Sequence, residues 1–248
     1  MKNYNLGFIS DENLFKQVKE TVEKYRFEIN LESFNKNIID PIKLTFDSKI
    51  YGKNINAIIA TEILRQIDKS NTNHIGYFHQ NIFRYLGGTD WIVPKEGFDI
   101  INNIENIYVE MKNKHNTMNS SSSQKTYMVM QNKILKNINA QCFLVEVIAK
   151  DSQNIPWLIS LNKQKMSDNR IRRISIDKFY EIVTKDKFAF KKLLEVLPSV
   201  LDDVLYSLNR TSVKSSVLKE LQELSPNIFK SLYYLAFSKY EGFNNFDI

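Results

Sequence analysis

Ten residues separate Asp99 from the tripeptide Glu110-Met111-Lys112. Along a β-strand, residues two apart share a face. Tyr108, Glu110, Lys112 and Lys114 therefore point one way, and Ile107, Val109 and Met111 the other. One face is a core; the opposite face sets a carboxylate beside an ammonium. A four-residue loop at Asn103–Asn106 makes a hairpin register symmetric about its centre, which places Asp99 opposite Glu110. Cross-strand partners lie ~4.5–5.5 Å apart at Cβ, and two carboxylates that close repel unless one takes a proton or a cation sits between them. Hard oxygen ligands in an incomplete shell suit Mg²⁺, with the Met111 carbonyl as a further protein oxygen and water and a phosphate filling the octahedron. A cation so placed polarises a phosphate and activates water, while Lys112 orients that water or steadies the developing charge. This is the chemistry of phosphodiester hydrolysis. The same residues have an ordinary reading as well: a solvated hairpin face carrying a weak ion pair.

The segment after Lys112 bears on the choice. From Asn113 to Lys125 the chain is a dense polar run containing Lys114, His115, Asn116, Asn119, Ser120, Ser121, Ser122, Ser123 and Gln124. Such groups contact phosphate oxygens and base edges. The run leaves the candidate strand and enters a helix N-terminus, where phosphate contacts are favourable. An ordinary polar loop is the competing reading.

Several elements must hold these residues in place. Ser10 or Asp11 caps a helix with Leu14, Val18, Val22 and Tyr25 on one face. A second helical stretch passes through Phe34 and Ile38 to Pro41, a third carries Ile55, Ile59, Glu62 and Gln66, and a fourth runs from Ile75 to Tyr85 and stops at Gly87-Gly88. Strands are expected at Trp91–Val93, Phe98–Ile101 and Ile107–Asn113, then a helix over Asn119–Ile138. The apolar run Cys142–Ala149 reads as a strand covered on both faces, followed by strands at Trp157–Leu161 and Arg172–Ile176. Beyond Asp177 the pattern is helical, with breaks near Pro198, Arg210 and Pro226. Helices, then strands enclosing a helix, then helices make an α/β (α+β) fold. The expected organisation is a unit over 1–210, N-terminal helices plus a catalytic core, and a helical extension over 211–248 packed on it.

Asp99, ten residues, Glu110-x-Lys112 on a hairpin, followed by helix and strand, resembles the PD-(D/E)xK nuclease superfamily. The longer stretches SNTNHIGYFHQ, GYFHQNIFRYLGG and GFDIINNIENIYVEMKNKHNTMNSSSSQKTYMVMQ, with Arg170-Ile-Arg-Arg173, resemble the type II restriction endonucleases that cut GGNCC-type sites. This similarity runs from about Leu6 to Val204. It implies a restriction-endonuclease-like core, a central mixed sheet flanked by helices with helical additions at both ends. It also implies a homodimer that cuts both strands of double-stranded DNA at a short palindrome, leaving 5′-phosphate ends, with Mg²⁺ and no nucleotide cofactor. Asp99, Glu110 and Lys112 match the motif positions, but Phe98 precedes Asp99 and the proline stands at Pro94. In similar nucleases an N-terminal helix adds an acidic residue near the metal; Glu62 is the candidate here, against a structural salt bridge to Arg65 or Lys69. Two rivals stay open: a repair or junction nuclease of the same superfamily, and a non-catalytic DNA-binding protein with a nuclease-like fold.

The remaining signals set bounds. Arg170, Arg172 and Arg173 form a basic cluster that tracks DNA phosphates or merely ends a solvated strand. Glu146, the one charge in a buried strand, is without an assigned role beyond pairing with a lysine of the catalytic face. No histidine has zinc-ligand spacing with Cys or acidic partners; His115 is a candidate DNA contact, and His74 and His79 read as helix surface or local hydrogen bonding. With 34 basic against 28 acidic residues the chain carries +6, which suits a polyanionic partner without proving one. Cys142 is the sole cysteine, so no internal disulfide forms, and it reads as a buried structural thiol. No membrane-spanning or signal segment is read, which suggests the cytoplasm.

Overall fold

The computed structural model describes residues 3–88, 90–115, 117–161, 163–208 and 214–237. In chain order its elements are α1 (Asp11–Lys24), β1 (Glu28–Ile29), α2 (Leu31–Asn35), α3 (Pro41–Ile50), α4 (Ile55–Asn81), a 3-10 turn at Ile82–Tyr85, β2 (Trp91–Ile92), β3 (Ile100–Asn102) and β4 (Ile107–Lys114). Next come α5 (Ser120–Lys136), β5 (Gln141–Ile148), β6 (Asn154–Pro156), β7 (Ile159–Leu161), β8 (Gln164–Met166), β9 (Ile171–Ser175), α6 (Ile176–Thr184) and α7 (Ala189–Leu208). Strand β10 (Lys214–Ser215) and helices α8 (Val217–Leu224) and α9 (Ile228–Phe237) close the series. Contacts divide the chain into two compact units, Met1–Glu23 with Ile75–Asn209, and Lys24–His74 with Arg210–Ile248.

The first unit is built on a six-stranded mixed sheet, in the order β2-β3-β4-β5-β9-β6. Strands β4, β5 and β9 are parallel, and the flanking pairs are antiparallel. Helix α5 is the crossover between β4 and β5. Its Tyr127, Met130 and Ile134 pack on Tyr108, Cys142, Leu144 and Ile171 of the sheet. The opposite face carries Phe143, whose ring lies 6.2 Å from Phe179 of α6; Phe179 also meets Phe83 and Trp91. Leu144 is fully buried at the centre of this layering. Leu144→Ala is expected to cost about 2–5 kcal/mol, read as a lower urea midpoint at unchanged m-value.

The β3–β4 hairpin has the expected register, Ile100 with Val109 and Asn102 with Ile107, around the loop Asn103–Asn106. The side chain of Asn102 accepts hydrogen bonds from the amides of Ile104 and Glu105, and Asn106 takes a left-handed φ of 56°, a conformation asparagine tolerates. Gly87 closes the preceding helical segment at φ +62°, and a Cβ there would lie 2.6 Å from the Val183 carbonyl oxygen, so only glycine fits.

Several expectations are revised. The third and fourth helical stretches are one helix, α4, because nothing between Gln66 and Ile75 stops it. Helix α7 continues through Pro198; a proline removes one backbone hydrogen bond, and buried Leu193, Val200 and Val204 hold the helix on both sides of it. The strand expected at Phe98–Ile101 begins only at Ile100. The strand expected at Trp157–Leu161 divides, since the Trp157 indole turns edge-on to Tyr127 of α5 and the chain then leaves the sheet for the β7–β8 hairpin. The break expected near Arg210 lies outside the described residues.

The second unit is mainly helical. Phe34, Ile59, Val217, Leu221 and Leu232 are fully buried in its core, so α8 and α9 share a core with residues 29–67. Strands β1 and β10 join the two segments in parallel. Among the described residues no helix is long and apolar enough to cross a membrane.

Candidate active site

Glu110 and Lys112 of β4 and Asp99, just before β3, converge. Glu110 and Lys112 stand on one face of β4, half-buried, with Lys112 Nζ 2.6 Å from Glu110 Oε1. Asp99 sits just before β3, where the ladder breaks: its amide donates to the Val109 carbonyl (2.9 Å), and its Oδ2 accepts the Met111 amide (2.7 Å). A residue's N–H and C=O leave the same edge of a strand, so the Met111 carbonyl is directed to the same edge as Asp99. The hairpin thus gathers two carboxylates and one backbone oxygen.

Without a cation this gathering is electrostatically unfavourable. The Asp99 pKa is pushed up to about 6, first by burial and then by the charge of Glu110; the Met111 amide and Lys112 pull it partly back. Among the described residues no three His, Cys, Asp or Glu side chains form a metal-holding group. Asp99, Glu110 and the Met111 carbonyl offer oxygen donors alone, and as ligands they would make an incomplete shell. That donor set fits Mg²⁺, which is held by one or two carboxylates and keeps several water or phosphate oxygens; it does not fit a closed zinc site.

A second polar cluster adjoins the first. The parallel register sets Glu146 of β5 beside Lys112 and Ser175 beside Glu146. Glu146 is 1% exposed. Its carboxylate is ion-paired to Arg173 of β9 and hydrogen-bonded to His115 Nδ1 (3.0 Å). Arg173 also approaches His115 Nδ1 (2.8 Å). An ionised carboxylate only accepts and a guanidinium only donates, so Nδ1 bonds Glu146 when it carries the proton and Arg173 when it does not. Burial alone would raise the Glu146 pKa, but the bonds from Arg173 and His115 outweigh it and hold the carboxyl below the usual range. The expected pairing of Glu146 with a lysine is thus replaced by Arg173 and His115. Its signal in the sequence was a lone charge within an apolar strand.

These residues belong to a chain with known relatives. Residues 6–206 match the family pattern described as Eco47II restriction endonuclease. The chain belongs to that family. It is similar to the type II restriction enzyme Sau96I of Staphylococcus aureus, 33% identical over 82% of each chain. It is also similar to the type II restriction enzyme Eco47II of Escherichia coli, 28% identical over 81% of this chain and 88% of that one.

Within this family member, the residues expected to meet DNA fall into distinct places. Lys114 ends β4 and is exposed, and Asn119 caps α5 by accepting the Ser122 amide (2.8 Å). Ser120, Ser121, Ser122 and Ser123 form the first turn of α5. Gln124 spends its amide on the Ser160 carbonyl (2.9 Å). Asn116 lies outside the described residues. The three arginines do not act as one cluster. Arg170 is paired with Asp168 in the turn before β9. Strand alternation puts Arg172 and Arg173 on opposite faces, Arg172 against Asn154 and Arg173 against Glu146.

Glu62 lies in the second unit. Both its oxygens are taken by Arg65 at 2.6 Å, and Gln66 adds a further bond. Burial opposes its ionisation, yet these partners lower its pKa overall; of the expected pairings, Arg65 is the one present. His79 is buried beside the Phe78 ring, not on the helix surface, and burial pushes its pKa down to about 4. Cys142 is a buried thiol, as expected, pushed up to about 12 chiefly by burial.

Proposed function

We propose that this protein is a Mg²⁺-dependent type II restriction endonuclease that hydrolyses both strands of double-stranded DNA at a GGNCC-type palindrome. The observation that carries the reading is the convergence of Asp99, Glu110 and Lys112 on one hairpin, in a chain of a restriction endonuclease family. A homodimer matches the two-fold symmetry of such a site, and no nucleotide cofactor is required.

Asp99, Glu110 and the Met111 carbonyl would hold the metal. A Mg²⁺ bound there would supply Lewis-acid polarisation of the scissile phosphate and an attacking water of lowered pKa. The chain's own residues do the rest. Asp99 and Glu110 would supply the two anionic oxygens that hold the cation at the hairpin edge. Lys112 orients the attacking water and offers its ammonium to the charge that develops on the phosphate oxygens. Lys114, His115, Asn119, the serines of the first α5 turn and Arg173 contact the DNA around that point.

Digestion of a sequenced plasmid tests the reading. Discrete fragments ending at GGNCC sites are expected with Mg²⁺ and none with EDTA. DNA left whole in both Mg²⁺ and Mn²⁺ would overturn the enzymatic reading, and nicking confined to branched or damaged DNA would replace it with a structure-specific nuclease.

A further inference from the structure

Beside the catalytic lysine lies a small polar cavity of about 60 Å³, bordered by Lys112, Lys114, Thr117, Ser123, Glu146 and Arg173. Lys112, Lys114 and Arg173 face it; Arg173 is ion-paired to Glu146 and Lys112 to Glu110, which leaves the Lys114 ammonium in excess. Thr117 and Ser123 add hydroxyl oxygens; Thr117 Oγ1 donates to the Lys114 carbonyl (3.0 Å), and Ser123 stands in the first turn of α5.

Arg173 is the informative member. One of its terminal nitrogens is committed to Glu146, which fixes the plane of the guanidinium. Its Nε–H is buried and has no acceptor. A buried donor without a partner is costly, and an anionic oxygen brought within its reach would relieve that cost. The fork of a guanidinium, held on one side by a carboxylate, is suited to bidentate recognition of phosphate on the other.

Geometry links the cavity to the cleavage centre. Lys112 borders the cavity and also reaches Glu110 at 2.6 Å. Lys114 stands next on the same face of β4, about 6.8 Å further along the strand, a step of the order of the spacing between neighbouring phosphates. We propose that this cavity seats the DNA backbone phosphate next to the scissile one, with Arg173 and Lys114 as its ligands and Glu146 as the positioning residue that aims Arg173. This rests on the nuclease reading above and adds to it a particular phosphate and a role for a residue that reading leaves unused.

Duplexes carrying one recognition site and a single neutral methylphosphonate, moved stepwise across the cleaved bond, test it. Wild-type enzyme is expected to lose about tenfold in single-turnover cleavage at one position adjacent to the scissile phosphate, in line with the loss of charge-assisted hydrogen bonds. Arg173→Lys keeps a cation on Glu146 but loses the Nε–H and the fork. Lys114→Met removes an exposed ammonium. Each should cut unmodified DNA about tenfold more slowly and lose no more than about twofold further at that position. Glu146→Gln should behave like Arg173→Lys while its Mg²⁺ requirement stays at the wild-type value, which separates aiming of the arginine from damage to the metal shell. If Arg173→Lys fails to fold, Lys114→Met decides. Variants that keep the wild-type interference profile would overturn the phosphate cavity and leave the nuclease reading intact. Wild-type protein that neither binds nor cuts the unmodified duplex would overturn both.

Discussion

Asp99→Asn is expected to reduce cleavage at least about 10³-fold and to make the metal-free protein more stable at neutral pH. Both effects come from one carboxylate. Cleavage falls because the substitution removes an anionic ligand and with it the Lewis-acid contribution to the barrier, an effect of several kcal/mol. Stability rises because ionised Asp99 is unfavourable in the folded protein. Burial and the charge of Glu110 lift its pKa from 3.8 to about 6. Between those values the folded state keeps a proton that the unfolded state has released, so native stability falls as pH rises through this window. At roughly 1.4 kcal/mol per pKa unit, neutral pH carries a penalty of up to about 3 kcal/mol, which asparagine relieves. The measurements are single-turnover cleavage and melting without metal at pH 5 and pH 7.5. Wild type should gain in melting temperature on adding Mg²⁺ and the variant should not. The same linkage sets the pH dependence of the wild type. At limiting Mg²⁺, proton and cation compete for Asp99, so cleavage should climb as pH rises through about 6, and saturating Mg²⁺ should move that rise to lower pH. A flat profile from pH 5 to 7 at limiting metal would exclude Asp99 as a ligand.

Lys112→Met separates the other half of the site. Single-turnover cleavage at saturating Mg²⁺ should fall about 10²–10³-fold, the loss typical of one group that stabilises developing charge. The requirement for metal should stay the same or become easier to meet. In the metal-free protein the Lys112 ammonium sits 2.6 Å from Glu110 Oε1, where it competes with a cation for the same carboxylate. Removing it frees that oxygen. DNA affinity, measured by anisotropy in Ca²⁺, should change by no more than a few-fold, since one phosphate contact among many is lost. Cleavage at the wild-type rate would remove Lys112 from the mechanism. Loss of metal binding together with cleavage would instead make its role structural. Asp99→Asn and Lys112→Met should therefore show opposite metal phenotypes, although the two residues are neighbours.

The β3–β4 hairpin was legible in the sequence because everything that sets it is local. Alternation along Tyr108, Glu110, Lys112 and Lys114 needs only the two-residue repeat of a strand. The register that brings Asp99 towards Glu110 comes from a four-residue loop whose Asn102 and Asn106 satisfy the turn by themselves. The length of the chain that must close is short, so turn chemistry decides the pairing. Even here local reading had a limit. It placed Asp99 inside a regular strand, whereas the ladder ends at Ile100 and the carboxylate caps the Met111 amide. Tertiary structure alone decided the second cluster. Glu146 meets His115 and Arg173 across separations of 31 and 27 residues. These contacts depend on parallel pairing of β4, β5 and β9, whose register is set by how α5 and the loops pack rather than by any turn. It likewise grouped residues 24–74 with the C-terminal helices around one core. Short-range stereochemistry is written residue by residue along the chain; the choice among long-range pairings belongs to burial summed over the whole fold, which no single segment contains.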